Sequence, residues 1–217
     1  MAKKNSGCCY WCGLEPVDRE HVPPLNIFPK LKRNNLITVP ACEAHNKQLS
    51  RVDERMRFYL QAGSSTSEAF SEFKNTVSAL ERPEAAVLAA GIIGRIMPTS
   101  MPGKVGAEIV GVSDDLVMYF EKITRGLAYH HQKKPFGGTC VAAPKQSFIT
   151  SPEILEFHRT ICPYFQIDGF SIDGVAANPD IFKYRYISKS NGDLQMFVVD
   201  MFFYNDIEVI SALTKPA

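Results

Sequence analysis

Apolar residues change their spacing several times along the chain, and each change marks a different kind of structure. Residues 8–41 carry no sustained period; cysteines, prolines and asparagines crowd them, which predicts short strands and loops. From Cys42 the pattern turns helical. Leu49, Val52, Met56 and Leu60 recur every three or four positions with charges between them, predicting one helix over 42–61. "GSSTS" at 63–67 predicts a loop and a domain boundary. Ser67 then reads as the N-cap of a helix with Phe70, Phe73, Val77 and Leu80 on one face. In "RPEAAVLAAGIIGRIM", Pro83 falls near a helix start and the turns are filled with small and apolar residues, predicting a buried helix. "GKVGAEIVGV" predicts a strand. "SDDLVMYFEKITRGLAYHHQKK" opens on Ser113 as N-cap, with acids in its first turn and basic residues in its last, and aligns Leu116, Val117, Phe120, Ile123 and Leu127. The last third turns β-rich: "YFQIDGFSI", "IFKYRYIS" and "LQMFVVDMFFY" predict strands, the last two joined by a hairpin at Asn191-Gly192. The predicted fold class is α+β, a small module over 1–62 followed by a larger helical and antiparallel β region over 63–217.

Composition adds boundaries to that picture. With 45% hydrophobic and 22% charged residues, 217 residues suffice for a sizeable core. The longest apolar run, at 85–94, is far short of the roughly 20 residues a membrane span needs. No apolar stretch follows the lysines of "MAKKNSG", so no secretory signal is expected and a reducing cytoplasm is the default. Net charge is +1, but it is unevenly spread: residues 1–60 hold 10 Lys and Arg against 6 Asp and Glu, and the remainder holds 14 against 17. A basic N-terminal part is compatible with a polyanionic partner.

The chemistry is concentrated in "CCYWCGLEPVDREHVPP", residues 8–24, and "RNNLITVPACEAHNKQLS", residues 33–50. Cys9 and Cys12 form a C-x-x-C pair, and Cys42 and His45 form C-x-x-H. Two close pairs joined by a loop suit tetrahedral Zn²⁺, each pair supplying one edge. A redox role for Cys9 and Cys12 would need a βαβ context that the flanking sequence lacks. Cys8 competes in register, although the spacing selects Cys9; Cys140 and Cys162 read as small buried side chains. His130 and His131 read as dipole-favoured residues at a helix end. Tyr184, Tyr186 and Phe202 read as core aromatics of strands rather than as base-stacking platforms.

Taken in order, Cys9 and Cys12, Glu20-His21, Asn35-Leu36, Cys42 and His45, and Asn46 resemble the motif of the HNH endonuclease family, the ββα-metal nucleases with a zinc-knuckle elaboration. The resemblance covers about the first 55 residues. It implies a metal-dependent endonuclease that hydrolyses phosphodiester bonds in DNA, with RNA not excluded, in the defence or restriction settings common in bacteria and phages. His21 would be the general base that activates water. Glu20 and Asn46 would hold one catalytic Mg²⁺ or Mn²⁺, a hard ion that prefers oxygen donors and polarises the phosphate. Asn35 would brace the loop and orient the base, while Cys9, Cys12, Cys42 and His45 hold a structural zinc. Glu20 stands where Asp is commoner in the family, and Asn46 where His often stands. Lys47, Arg51, Arg55 and Arg57 follow the motif and are candidate phosphate contacts.

Two other functions remain open. One is a non-catalytic zinc-knuckle module that binds nucleic acid, with Glu20, His21 and Asn46 as turn or cap residues. The other is a nuclease effector regulated by a ligand or partner of residues 63–217, a region that would also carry targeting or homo-oligomer contacts.

Overall fold

The computed structural model describes residues 7–47, 49–101, 104–109, 111, 113–145 and 152–217. Its first unit is an antiparallel pair, β1 (Asp18–His21) and β2 (Thr38–Ala41), in which His21 faces Thr38 and Glu20 faces Val39. Two short 3₁₀ turns at Leu25–Ile27 and Lys30–Lys32 fill the connection, each beginning after a proline. The helix expected over 42–61 is two helices, α1 (Glu43–Lys47) and α2 (Ser50–Ala62), with Leu49 in a turn between them. The apolar period belongs to α2, which buries Val52, Met56, Phe58, Tyr59 and Leu60. Cys42 precedes α1, which carries His45 to a local cluster and packs Ala44 against the core.

Next, α3 (Ser67–Leu80) is capped one residue earlier than expected: Thr66 Oγ1 accepts from the Ala69 amide at 3.4 Å. Phe73, Val77 and Leu80 pack against the core, but Phe70 is exposed, its ring covered by the Lys74 ammonium. The apolar segment after Pro83 gives a 3₁₀ turn (Pro83–Ala85) and α4 (Ala86–Ile93), and here the expectation of a buried helix is corrected. Ile92 is the buried residue of α4, while Val87 is 82% and Ile93 67% exposed. Composition made this helix apolar all round, but it lies at the rim beside α2 and α3 and has one covered side. β4 (Lys104–Ile109) is the strand expected in "GKVGAEIVGV", and it pairs with an unexpected strand, β3 (Ile96–Met101), whose first two residues were read as the end of the helical segment. Gly103, Val110 and Val112 lie outside the described residues, as do the side chain of Ser113 and residues 1–6.

The main sheet has five strands in the order β5-β9-β8-β7-β6, all antiparallel: β5 (Thr139–Pro144), β6 (Ile172–Asp173), β7 (Phe182–Asn191), β8 (Leu194–Phe203) and β9 (Ile207–Pro216). Asn191 pairs with Leu194 across the expected hairpin. "YFQIDGFSI" is the weak expectation: Tyr164–Gln166 belongs to a 3₁₀ turn (Cys162–Gln166) after α6 (Pro152–Ile161), and strand pairing covers just Ile172–Asp173. One sheet face carries Phe197, Val199, Met201, Phe203 and Leu213 into the principal core; the other carries Val198, Ile210 and Ala212 beneath Phe157, Ile161 and Phe165.

Between the sheet and the first unit runs α5 (Ser113–Gln132). Phe120 meets Phe203, and the Thr124 hydroxyl contacts Ser211 at 2.8 Å, both on the sheet side. On the opposite side Tyr119, Lys122 and Gly126 face β1 and α2. A Cβ on Gly126 would come within 2.6 Å of Val22 Cγ2, so the missing side chain is what lets β1 approach this helix. The principal core therefore runs without a break from Cys9 and Tyr10 through Met56 and Phe120 to Leu213, across the 62/63 boundary. No described helix is long and apolar enough to cross a membrane.

Candidate metal centre and adjacent site

The Cys9 pair forms a tight turn. Gly13 donates its amide to the Cys9 carbonyl at 3.0 Å and takes a positive φ of 78°, which glycine adopts without strain. The hairpin and α1 bring Cys42 and His45 to this turn. The four ligand atoms lie within 4.8 Å of one another, with Cys12 Sγ to Cys42 Sγ 3.7 Å, Cys9 Sγ to His45 Nδ1 3.6 Å and Cys42 Sγ to His45 Nδ1 3.2 Å. A tetrahedral ion with metal–sulfur bonds of about 2.3 Å and metal–nitrogen bonds of about 2.0 Å requires S–S edges of about 3.8 Å and S–N edges of about 3.5 Å. The sulfurs are far beyond the roughly 2.05 Å of a disulfide, and all six cysteines are free thiols. The cluster is thus shaped to hold a metal ion.

Electrostatics agree with that shape. Burial works to raise the Cys9 thiol, but amide groups of Cys12, Cys42 and Trp11 together outweigh it and lower its pKa. Cys12 moves the other way, to about 11, from burial and from the neighbouring sulfurs. Such a crowd of sulfurs favours a cation at its centre. The outer support comes from aromatic rings. Trp11 stacks on the His45 ring at 4.9 Å, and the Arg125 guanidinium of α5 lies 5.1 Å from the Trp11 ring. Arg125 is itself fixed by the Phe136 and Gly138 carbonyls and by Glu121.

The residues expected to work beside the centre divide into three groups. His21 ends β1, is half-buried, and its ring nitrogens make no hydrogen bond among the described residues. Burial first, then Arg33 and Arg19, lower its pKa against the opposing pull of Asp18, so the ring is neutral near pH 7. Asn46 lies on α1 and its Nδ2 contacts Asp18 Oδ2 at 3.3 Å. The structure thus adds Asp18, which sequence reasoning passed over although it stands in the same "DREH".

Glu20 departs from its expected role. It is buried, and its Oε1 lies 3.3 Å from the Lys122 ammonium, which also contacts Asp53 Oδ2 at 2.7 Å. Lys122 is itself 1% exposed. The side chain expected to hold a catalytic metal is thus buried, with one oxygen engaged by an internal ammonium. Burial, moderated by Lys122, pushes its pKa up to about 7. Lys122 had no local signal: it lies 102 positions from Glu20 in the chain.

The third group is scattered. Asn35 is exposed, adopts φ 55° before β2, and its side chain makes no hydrogen bond among the described residues. Lys47 pairs with Glu43 at 3.1 Å on the surface, and Arg51 is exposed. Arg55 is engaged elsewhere: its guanidinium makes two bonds to Asp115, at 2.7 and 2.6 Å, which suits a structural role. Arg57 is half-buried, its Nε without a hydrogen-bond partner among the described residues. Away from this region His131 stacks on Tyr186 and bonds Tyr184 at 3.0 Å, Tyr184 is in the core, and Cys140 and Cys162 are half-buried. Comparison with protein-family profiles, curated proteins and solved structures finds no match.

Proposed function

We propose that the chain is a metal-stapled nuclease of the HNH kind that hydrolyses phosphodiester bonds in DNA. The observation that carries this reading is an open, neutral imidazole at the end of β1, in a strand–strand–helix frame held by a three-cysteine, one-histidine cluster. The cluster's ion is zinc, which accepts thiolate and imidazole together and has a structural role. His21, with a free nitrogen and a lowered pKa, takes the proton from the attacking water. Arg19 keeps its guanidinium beside that ring by donating to the Thr38 hydroxyl and carbonyl at 2.8 and 2.7 Å, and adds positive charge where a phosphate would lie. A hard divalent ion, Mg²⁺ or Mn²⁺, would be held by the oxygens of Asp18 and Asn46 rather than Glu20, and when bound supplies charge neutralisation at the phosphate.

The test is plasmid nicking by the purified chain with Mg²⁺ or Mn²⁺, beside His21→Ala. Nicking by the wild type that the variant loses is expected. Equal residual activity in both would assign the cleavage to a contaminant and remove His21 as the base.

One observation favours a second reading, a module that binds nucleic acid without cutting it. The carboxylate next to the histidine is buried against Lys122, as a structural residue would be. Binding of labelled DNA with no cleavage under any divalent ion would select this reading.

A further inference from the structure

We infer that Lys122 of α5 is a positioning residue for His21, acting through Glu20, an inference that rests on the nuclease reading above only for its kinetic consequence. In a strand, neighbouring side chains point to opposite faces. Whatever pins Glu20 inward therefore turns His21 outward. Lys122 does the pinning: it reaches across the core, holds Glu20 at 3.3 Å and is held in turn by Asp53 of α2 at 2.7 Å. One helical turn further on, Gly126 receives Val22, the residue after His21, against bare backbone. The helix thus grips β1 on both sides of the imidazole, by charge at position 20 and by close approach at position 22. The ring's direction is set by residues of the larger region, and Glu20 serves as a handle rather than as a metal ligand.

The experiment uses the full chain with Glu20→Gln, Lys122→Met and Gly126→Ala. Two readouts are taken: nicking as a function of metal concentration, and the His21 ring resonance in histidine-labelled protein, assigned by its loss in His21→Asn. Glu20→Gln keeps an acceptor for Lys122 and leaves Asp53 to balance its charge. It should fold, keep the half-saturating metal concentration within about twofold, and leave the His21 resonance close to its wild-type position. A metal ligand would instead raise that concentration by about tenfold or more. Lys122→Met and Gly126→Ala should each displace the His21 resonance while leaving that of His158 in place, and should lower kcat by about tenfold or more with metal dependence unchanged.

The inference is overturned if Glu20→Gln weakens metal dependence tenfold, or if folded Lys122→Met leaves the His21 resonance unmoved. Should Lys122→Met not fold, Gly126→Ala decides the same point without removing a charge, an unmoved His21 resonance there being the refuting result. If the wild type cuts nothing, the nuclease reading fails by itself, and the resonances still decide whether α5 orients the ring.

Discussion

Replacing Arg55 by Ala separates a phosphate contact from a structural clamp, because the two roles predict opposite pairs of results. In the folded chain Arg55 gives two parallel bonds to Asp115, which is 7% exposed in its side chain and stands in the first turn of α5. Charge-assisted hydrogen bonds contribute about 1.5–3 kcal/mol each when the partner is buried. Two features reduce the sum. Arg95 also pairs with Asp115, so the carboxylate is not left alone when Arg55 goes. The Arg55 side chain is itself 21% exposed, and water recovers part of the loss. A net cost of roughly 2–3 kcal/mol follows.

For a chain of this size that cost lowers the melting temperature by about 4–12 °C. It should be read in parallel by urea unfolding and by DNA binding at several salt concentrations. Arg55→Ala should lose stability while the slope of log affinity against log salt stays put, since no phosphate partner has been removed. Arg51→Ala, which alters an exposed guanidinium, should do the reverse and lower the slope by about 0.9 if that residue neutralises one phosphate. A stable Arg55→Ala protein, changed by less than about 0.5 kcal/mol and with a reduced salt slope, would refute the clamp.

The metal centre makes a separate prediction: elemental analysis should give one tightly held zinc per chain, and Cys42→Ser or a strong chelator should unfold residues 7–47, seen as lost amide protection from hydrogen exchange. Full thermal stability of metal-free protein would exclude a structural ion. Stability should also depend on pH through Glu20. Its folded pKa, about 7, is above the ordinary 4.5, so the native state holds the proton more tightly. The associated stability is complete below about pH 4.5 and is lost as pH rises through 7, roughly 3 kcal/mol in all. Urea midpoints at pH 5 and pH 8 should therefore differ less in Glu20→Gln than in the wild type, and an equal difference in both would remove Glu20 as the source.

What the chain disclosed in advance follows the range over which each signal acts. α2 was legible because it buries one stripe at the helical period; of the face expected on α5, Leu116, Phe120, Ile123 and Leu127 are buried but Val117 is 42% exposed, and the helix is covered on two sides, which one apolar stripe does not announce. The β7–β8 hairpin was legible from its turn. β9 escaped notice because it lies inside the sheet with residues buried on both faces, and "IEVISALTKP" consequently lacks alternation. α4 misled for the converse reason: its apolar composition says nothing about which of its sides a neighbour covers. The metal ligands were legible because chelation imposes a spacing on residues only three apart. Nothing comparable marks an ion pair between positions 20 and 122, which is decided by packing alone.

That difference in range also bears on how the two halves of the chain depend on each other. The "GSSTS" loop suggested a domain boundary after residue 62, with a larger region beyond it for targeting, regulation or oligomer contacts. α5 argues for a tighter relation, since it supports the module at three points along one side. Arg125 lies over Trp11, which stacks on the metal-cluster residue His45; Lys122 holds Glu20 beside the candidate base; Asp115 clamps α2 through Arg55. The same helix is fixed to the five-stranded sheet by Phe120 and Thr124. A fragment ending near residue 62 would lose both the Lys122 cation and the α5 surface that covers Glu20, Asp53 and the apolar side of α2, whereas in the full chain removing the Lys122 ammonium alone from the buried cluster costs about 3–5 kcal/mol. Marginal stability of that order is what a domain of this size possesses in total. The larger region is therefore part of the site's construction, and any ligand or partner that shifts α5 against the sheet would act on His21 through Lys122.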